Sequence, residues 1–309
     1  MDGVTETLVV SVPDAQLADA LRPLPAGVEV VVWAMDADAP RPAIDIVVPP
    51  YQSQSQALPR LAGVRTRLVQ SQSIGYEGVA GLLPSGTVFA NAASVHETST
   101  AELAVALTLA AQRDIPAFVR DGEHGRWRGR FTPSLADRRV LLLGYGGVGT
   151  AVAARLAGFE VDVVPVASHA RDEDGVHVHG IDELHGLLPD ADVVILTLPG
   201  GDATRHVIDD AALTALPDGA LVVNVGRGQL VDTEALVDHV RRGRIRAALD
   251  VTDPEPLPSD HPLWTLPGVL ITPHVGGAST AMLPRVVRLI RDQVERMQRG
   301  EAPRNVVID

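Results

Sequence analysis

The run Val140–Gly158, VLLLGYGGVGTAVAARLAG, decides how the rest of the chain is read. Val140 to Leu143 are consecutive apolar residues, the pattern of a strand buried on both faces in a parallel sheet. They lead directly into Gly144-Tyr145-Gly146-Gly147-Val148-Gly149, and an alanine-rich helical pattern follows. In a G-x-G-x-x-G turn each glycine has its own task. Gly144 makes the tight turn, Gly146 lets a pyrophosphate approach the backbone, and Gly149 lets the helix pack close to the strand. The phosphates then sit on the helix N-terminus, where free N–H groups and the helix dipole favour anions. The spacing predicts nucleotide binding; its plain alternative is an ordinary glycine-punctuated turn.

Bulk properties narrow the classes. A chain of 309 residues predicts two domains. With 46% hydrophobic and 3% aromatic residues, its cores are built from Val, Leu, Ala and Ile. The formal charge of -13 argues against nucleic-acid or anionic-membrane partners, which need a basic face. All 26 basic residues are arginine. Without lysine there is no Schiff-base chemistry and no Walker-type ATP site. Without cysteine there are no disulfides, thiolate nucleophiles or zinc–cysteine sites. The start, MDGVTETLVVSVPD, lacks a basic leader region and an apolar stretch. No window reaches the apolar length of a membrane span. The expectation is a soluble cytoplasmic protein.

Strand-like runs alternate with helical patterns on both sides of the glycine turn. Before it stand Leu8–Val12, Val28–Trp33, Ile44–Val48, Leu68–Gln70 and Val88–Asn91, and Asp14 is placed to cap a helix over 14–21. Ala101–Gln112 predicts a helix with almost no polar face, buried between domains or subunits. Arg120–Arg130 reads as a charged, glycine-broken connector holding Trp127, which either packs there or lines a pocket. After the turn come strands at Val161–Val166, Val193–Leu198, Leu221–Val225, Ala247–Val251 and Val269–Thr272, and helices at Thr233–Arg242 and Pro284–Gly300. The terminal helix has the length to return to the first domain.

Ligands of open parallel sheets bind beyond the carboxyl ends of the strands. Arg227, Glu255 and His274 follow three successive strands there. Singly each has a bland reading, as a turn arginine, a solvated loop acid and a satisfied strand-end histidine; together they read as a site.

These residues lie in motifs that resemble the D-2-hydroxyacid dehydrogenases: G-Y-G-G-V-G at 144–149, N-V-G-R-G at 224–228, A-L-D-V-T-D-P-E-P-L at 248–257, T-P-H-V-G-G at 272–277 and S-T-A-E-L at 99–103. The resemblance runs from about residue 68 to the C-terminus; earlier residues match only in their strand–helix rhythm. It implies two Rossmann-like parallel-sheet domains. A flavodoxin-like substrate domain, 1–99 and 283–309, would be discontinuous around a dinucleotide-binding domain, 100–282. It implies that His274 is the general acid at the substrate carbonyl, that Glu255 orients it and raises its pKa, and that Arg227 holds the substrate carboxylate. Ile74 and Gly75, with His274, would contact substrate. Asp250 would orient the nicotinamide amide, with Thr197, Leu198, Pro199, Val225 and Gly276 along the cofactor. Glu255 weighs against the formate-dehydrogenase branch, which carries glutamine there. The family habit suggests a homodimer acting on a small 2-oxo or 2-hydroxy acid.

One departure bears on the cofactor. NAD-preferring relatives end the second nucleotide-domain strand in an acid that binds the ribose hydroxyls. Here Ala167-Ser168-His169-Ala170-Arg171 follows Val166, and Ser168, His169 and Arg171 suit a 2′-phosphate. NADP is favoured over NAD; a site using both is the alternative. His177 and His179 alternate on a surface strand with no third ligand in view, so no metal is assigned. Tyr51 and the polar run Gln52–Gln56 stand in a loop that could face substrate. The rival reading of the whole chain is a nucleotide-sensing, corepressor-like binding protein on the same fold.

Overall fold

The computed structural model describes residues 7–309, so Met1–Glu6, part of the stretch read above for a leader, lies outside the described residues. The chain forms two compact units, one running to His96 and resuming at Thr280–Asp309, the other Glu97–Ser279.

In the first unit the short β-branched runs become β1 (Leu8–Val12), β2 (Val28–Val32), β3 (Ile46–Val47), β4 (Leu68–Gln70) and β5 (Phe89–Ala90). They pair in parallel in the order β2-β1-β3-β4-β5, the flavodoxin-like arrangement. Asp14 caps the helix Ala15–Ala20 by accepting from the Leu17 N–H at 2.8 Å. The helix Met282–Gln298 belongs to this unit. Its Val286, Leu289, Ile290 and Val294 share one core with Leu8, Val10, Val12 and Leu17. Inside that core Gln293 Nε2 donates to Gln70 Oε1 at 2.7 Å, so neither buried amide is left unsatisfied.

The second unit holds β6 (Arg139–Leu143), β7 (Asp162–Ala167), β8 (Arg171–Glu173), β9 (Val176–Gly180), β10 (Val193–Leu196), β11 (Ala220–Asn224), β12 (Ile245–Leu249) and β13 (Val269–Ile271). Their order is β13-β12-β11-β10-β6-β7-β9-β8, all parallel except β8. The chain fills one side of β6 first and then crosses to β10 on the other. The carboxyl ends of β6 and β10 therefore flank a topological switch point, the standard place for a ligand in such sheets.

Three features add to the sequence expectations. The helix predicted at 101–112 starts earlier, as Glu97–Gln112, and its Ala101, Ala104, Val105 and Leu107 pack with Val140, Leu142, Ile195 and Val223 in this unit's own core. The connector expected at 120–130 begins inside a helix, Ile115–Glu123, set off by Asp114 at φ 52. A last strand, β14 (Val306–Ile308), pairs antiparallel with β5 and covers that sheet edge. Among the described residues no helix is long and apolar enough to cross a membrane.

Candidate active site

The glycine turn joins β6 to the helix Gly147–Leu156. Gly144 sits at φ 104, a conformation that favours glycine, and its carbonyl accepts from Thr197 Oγ1 at 2.9 Å. A Cβ on Gly149 would lie 1.9 Å from the Gly144 carbonyl oxygen, so only hydrogen fits where helix and turn meet. A Cβ on Gly146 would meet no heavy atom within 4 Å. The turn is thus packed hard on its inner side and open on its outer side. The helix start carries no side-chain cap, which leaves its first N–H groups for a ligand. Tyr145 and Val148 are half-buried, Gly147 is exposed, and Leu198, half-buried beside exposed Pro199, reaches Gly226 through its carbonyl.

Beyond β7 the chain leaves Ser168 and His169 exposed and forms a two-stranded hairpin that the sequence reading lacked. Asp174 and Gly175 at its tip have φ 50 and 78, the pair of positive values a type I′ turn requires. The hairpin brings Arg171 to the glycine turn, where its guanidinium donates to the Tyr145 carbonyl at 3.2 Å. The same side chain donates to Glu173 Oε2 at 2.8 Å. The arginine that reaches the glycine turn is therefore also paired with an acid of its own hairpin.

The ionisable trio follows β11, β12 and β13. His274 Nδ1 lies 2.5 Å from Glu255 Oε1, leaving Nε2 free to face another group. His274 is itself at φ 52, a conformation costly for a non-glycine residue. The turn is held by Asp250, which is 2% exposed. Its Oδ1 accepts from Thr272 Oγ1 at 2.6 Å and the Val275 N–H at 2.9 Å, and its Oδ2 from the Gly276 N–H at 2.9 Å. Asp250, given above to the nicotinamide amide, thus uses both oxygens to fix the backbone that presents His274.

Arg227 follows β11 in a turn locked by Asn224, whose Nδ2 donates to the Arg227 carbonyl at 2.8 Å and whose Oδ1 accepts from the Gly226 N–H at 3.0 Å. Val225 beside it is buried. A Cβ on Gly228 would lie 1.9 Å from the Thr252 carbonyl oxygen, so the arginine turn is seated directly against the segment that leads to Glu255. Asn224 and Thr272 were missed as functional supports, although both stand inside the quoted motifs.

Electrostatics couple the three. The Glu255 hydrogen bond raises the His274 pKa above its ordinary value; burial and the Arg227 charge oppose it, and the Glu255 and Asp250 charges add to it. Burial pushes the Glu255 carboxyl up. Its hydrogen bond and charge interaction with His274, a backbone hydrogen bond at Thr252 and the Arg227 charge outweigh that and leave it below the usual carboxylate range. Such a pair favours the protonated imidazole and sets a negative charge behind it.

In the first unit, Ile74 and Gly75 lie half-buried in the turn after β4, where Asn91 Nδ2 donates to the Ile74 carbonyl at 2.9 Å. Tyr51 stacks on His96 with ring centroids 5.4 Å apart. Trp127 is 99% exposed, so it packs in no core of this chain.

Residues 105–276 match the profile of the D-isomer specific 2-hydroxyacid dehydrogenase NAD binding domain. The chain is 32% identical over 257 residues to a glyoxylate reductase of Korarchaeum cryptofilum, covering 80% of this chain and 77% of that protein. It is 33% identical over 227 residues to a D-3-phosphoglycerate dehydrogenase of Methanocaldococcus jannaschii, covering 72% of this chain but 43% of that protein. A solved D-isomer specific 2-hydroxyacid dehydrogenase from Xanthobacter autotrophicus, in complex with NADPH and MES, superposes with a TM-score of 0.81 at 28% identity over 98% of both chains. The chain belongs to the D-isomer specific 2-hydroxyacid dehydrogenase family and is an NAD(P)-dependent oxidoreductase.

Proposed function

We propose that the protein reduces a small 2-oxo acid to the D-2-hydroxy acid, with His274 as proton donor, Glu255 as its partner and Arg227 as carboxylate anchor. The observation that carries this reading is the 2.5 Å His274–Glu255 pair within electrostatic reach of Arg227. A dinucleotide fits the second unit on its own geometry, because the outer side of the turn at Gly146 is open and the helix start is uncapped. Gly144–Gly149 would hold its pyrophosphate, with Thr197, Leu198, Pro199, Val225 and Gly276 along its length. When bound, the nicotinamide supplies or accepts the hydride. The chain's own residues do the rest. Arg227 offers a permanently charged fork to the substrate carboxylate. His274 Nε2 gives its proton to the carbonyl oxygen and recovers it in the oxidative direction. Glu255 holds the imidazole in the tautomer that makes this possible, and Asp250 holds the backbone beneath it. Ile74 and Gly75 keep the substrate-contact role that the resemblance gives them.

The test is spectrophotometric, with glyoxylate, hydroxypyruvate and longer 2-oxo acids offered alongside NADPH and NADH. Oxidation of either cofactor with one of these acids is the expected result. Tight nucleotide binding with no turnover on any of them would instead favour a nucleotide-sensing protein.

NADPH is the proposed cofactor. Ser168 and His169 stand exposed at the ribose end, and Arg171 is already held beside the glycine turn. A charge-assisted contact to a 2′-phosphate contributes about 1.5–3 kcal/mol, or roughly 10- to 150-fold in binding. The ratio of kcat/KM values is therefore expected to favour NADPH, and Ser168→Asp to reverse that order by repelling the phosphate. A wild-type preference for NADH of about tenfold or more would overturn the cofactor assignment and leave the reductase standing.

A homodimer in the cytoplasm completes the proposal. Ile115, Val119, Trp127 and Phe131 cluster in sequence as exposed large apolar residues on one helix and the loop after it. An exposed apolar group of this kind marks an association surface. Light scattering is expected to give the mass of two chains, and Val119→Glu with Phe131→Glu to give the mass of one. An unsubstituted chain that runs as a monomer at micromolar concentration would rule this out.

A further inference from the structure

We propose that the β8–β9 hairpin and the turn after it carry a site for a divalent transition-metal ion, formed by His177, His179 and Glu183. The sequence shows two histidines and no third donor. The structure supplies it, because one ligand atom from each of these residues lies within 4.8 Å of the other two. His177 and His179 alternate along β9 and so project from one face, with ring centroids 4.6 Å apart and ring planes at 88°. Glu183 comes from the next element, the single turn Ile181–Glu183, and is oriented before any ion arrives. Its Oε1 accepts the Gly180 N–H at 2.8 Å and its Oε2 faces His179 Nδ1 at 2.8 Å. Asp172 stands directly opposite His177 in the strand pairing, with its Oδ1 2.9 Å from His177 Nδ1. That is the carboxylate-behind-imidazole arrangement that orients metal-bound histidines and makes them better donors.

Two imidazoles and one carboxylate suit Zn2+ or a neighbouring divalent ion at bond lengths of about 2.0–2.2 Å, leaving a fourth position for water. Metal binding would exchange the His179–Glu183 hydrogen bond for bonds from both residues to the ion. Arg171 pairs with Val178 in register and therefore leaves the hairpin on the other face, toward Tyr145. An ion on the histidine face would clamp the hairpin without occupying the place of Arg171. The hairpin lies at the β8 edge of the sheet, whereas His274, Glu255 and Arg227 follow the strands toward the β13 edge. The proposed site is therefore separate from the catalytic trio.

The test uses the full chain, stripped with EDTA, dialysed and titrated with ZnCl2 by calorimetry and by thermal melting. One Zn2+ per chain and a rise in Tm are expected. His179→Ala and Glu183→Gln should each weaken binding by about tenfold or more, while His185→Ala, one turn away, should leave it unchanged. His177→Ala, at an exposed position, serves as the variant least able to disturb folding. Binding that ignores all three ligand substitutions, or no stoichiometric Zn2+ at all, would overturn the proposal.

Discussion

His274→Ala is expected to lower kcat by about 10²–10⁴-fold while leaving dinucleotide affinity close to that of the unsubstituted chain. The imidazole is proposed to act only where the proton moves, so its loss falls on the transition state and not on cofactor binding. Steady-state kinetics together with NADPH fluorescence titration separate the two effects. Turnover near the original rate on a good substrate would remove His274 from the mechanism. Glu255→Gln adds a test with a sign. Reduction needs the protonated imidazole, so its rate holds below the His274 pKa and falls as pH rises through it. The hydrogen bond from Glu255 raises that pKa, so removing the carboxylate should move the alkaline limb of reduction, and the acidic limb of oxidation, to lower pH. An unshifted profile would mean that Glu255 does not tune His274.

Gly149→Ala is expected to cost dinucleotide affinity by about tenfold or more and stability by about 1–3 kcal/mol, roughly 2–4 °C of Tm for each kcal/mol. The added carbon would lie 1.9 Å from the Gly144 carbonyl oxygen, and neither side is a flexible side chain that can turn away. Gly146→Ala is the matched control. Its Cβ meets nothing in the protein within 4 Å, so the melting temperature should hold while NADPH binding weakens, because the open side of the turn is where the pyrophosphate is proposed to lie. If both variants lose stability equally, or if Gly146→Ala binds NADPH normally, the division of labour among the glycines is wrong.

Much of this arrangement is legible in the chain because its signals are local. A run of buried residues such as Val140–Leu143 has few other uses, and the glycines at 144 and 149 each answer a steric demand that no other residue meets. Strand ends place Arg227, Glu255 and His274 on one rim of the sheet. What stays hidden has no local pattern that announces it. Asp250 reads by resemblance as a cofactor contact, and its hold on the His274 turn shows only when Thr272, Val275 and Gly276 close on it. The helix Ile115–Glu123 is masked by Pro116, which a helix tolerates only in its first turn, and by Gly122 near its end. The hairpin did carry a signal in Asp174-Gly175, a dipeptide suited to paired positive φ values, and in the alternation of Val176-His177-Val178-His179, but Arg171-Asp172-Glu173 before it is charged throughout. Glu183 joins the histidines only because β9 ends in a turn that brings the chain back on itself.

The interrupted course of the first unit bears on the order in which the protein is made. Its β1–β5 sheet emerges from the ribosome early, but Val286, Leu289, Ile290 and Val294, which complete its core, and β14 are translated only after the whole of Glu97–Ser279. Glu97–Ser279 contains all the strands of its own sheet before that point. During synthesis the inserted unit can therefore reach its native state while the earlier one still waits with apolar surface uncovered. Once Ser279 has cleared the ribosome, every strand of the inserted sheet is available, whereas the first unit still lacks the helix Met282–Gln298 that closes its core.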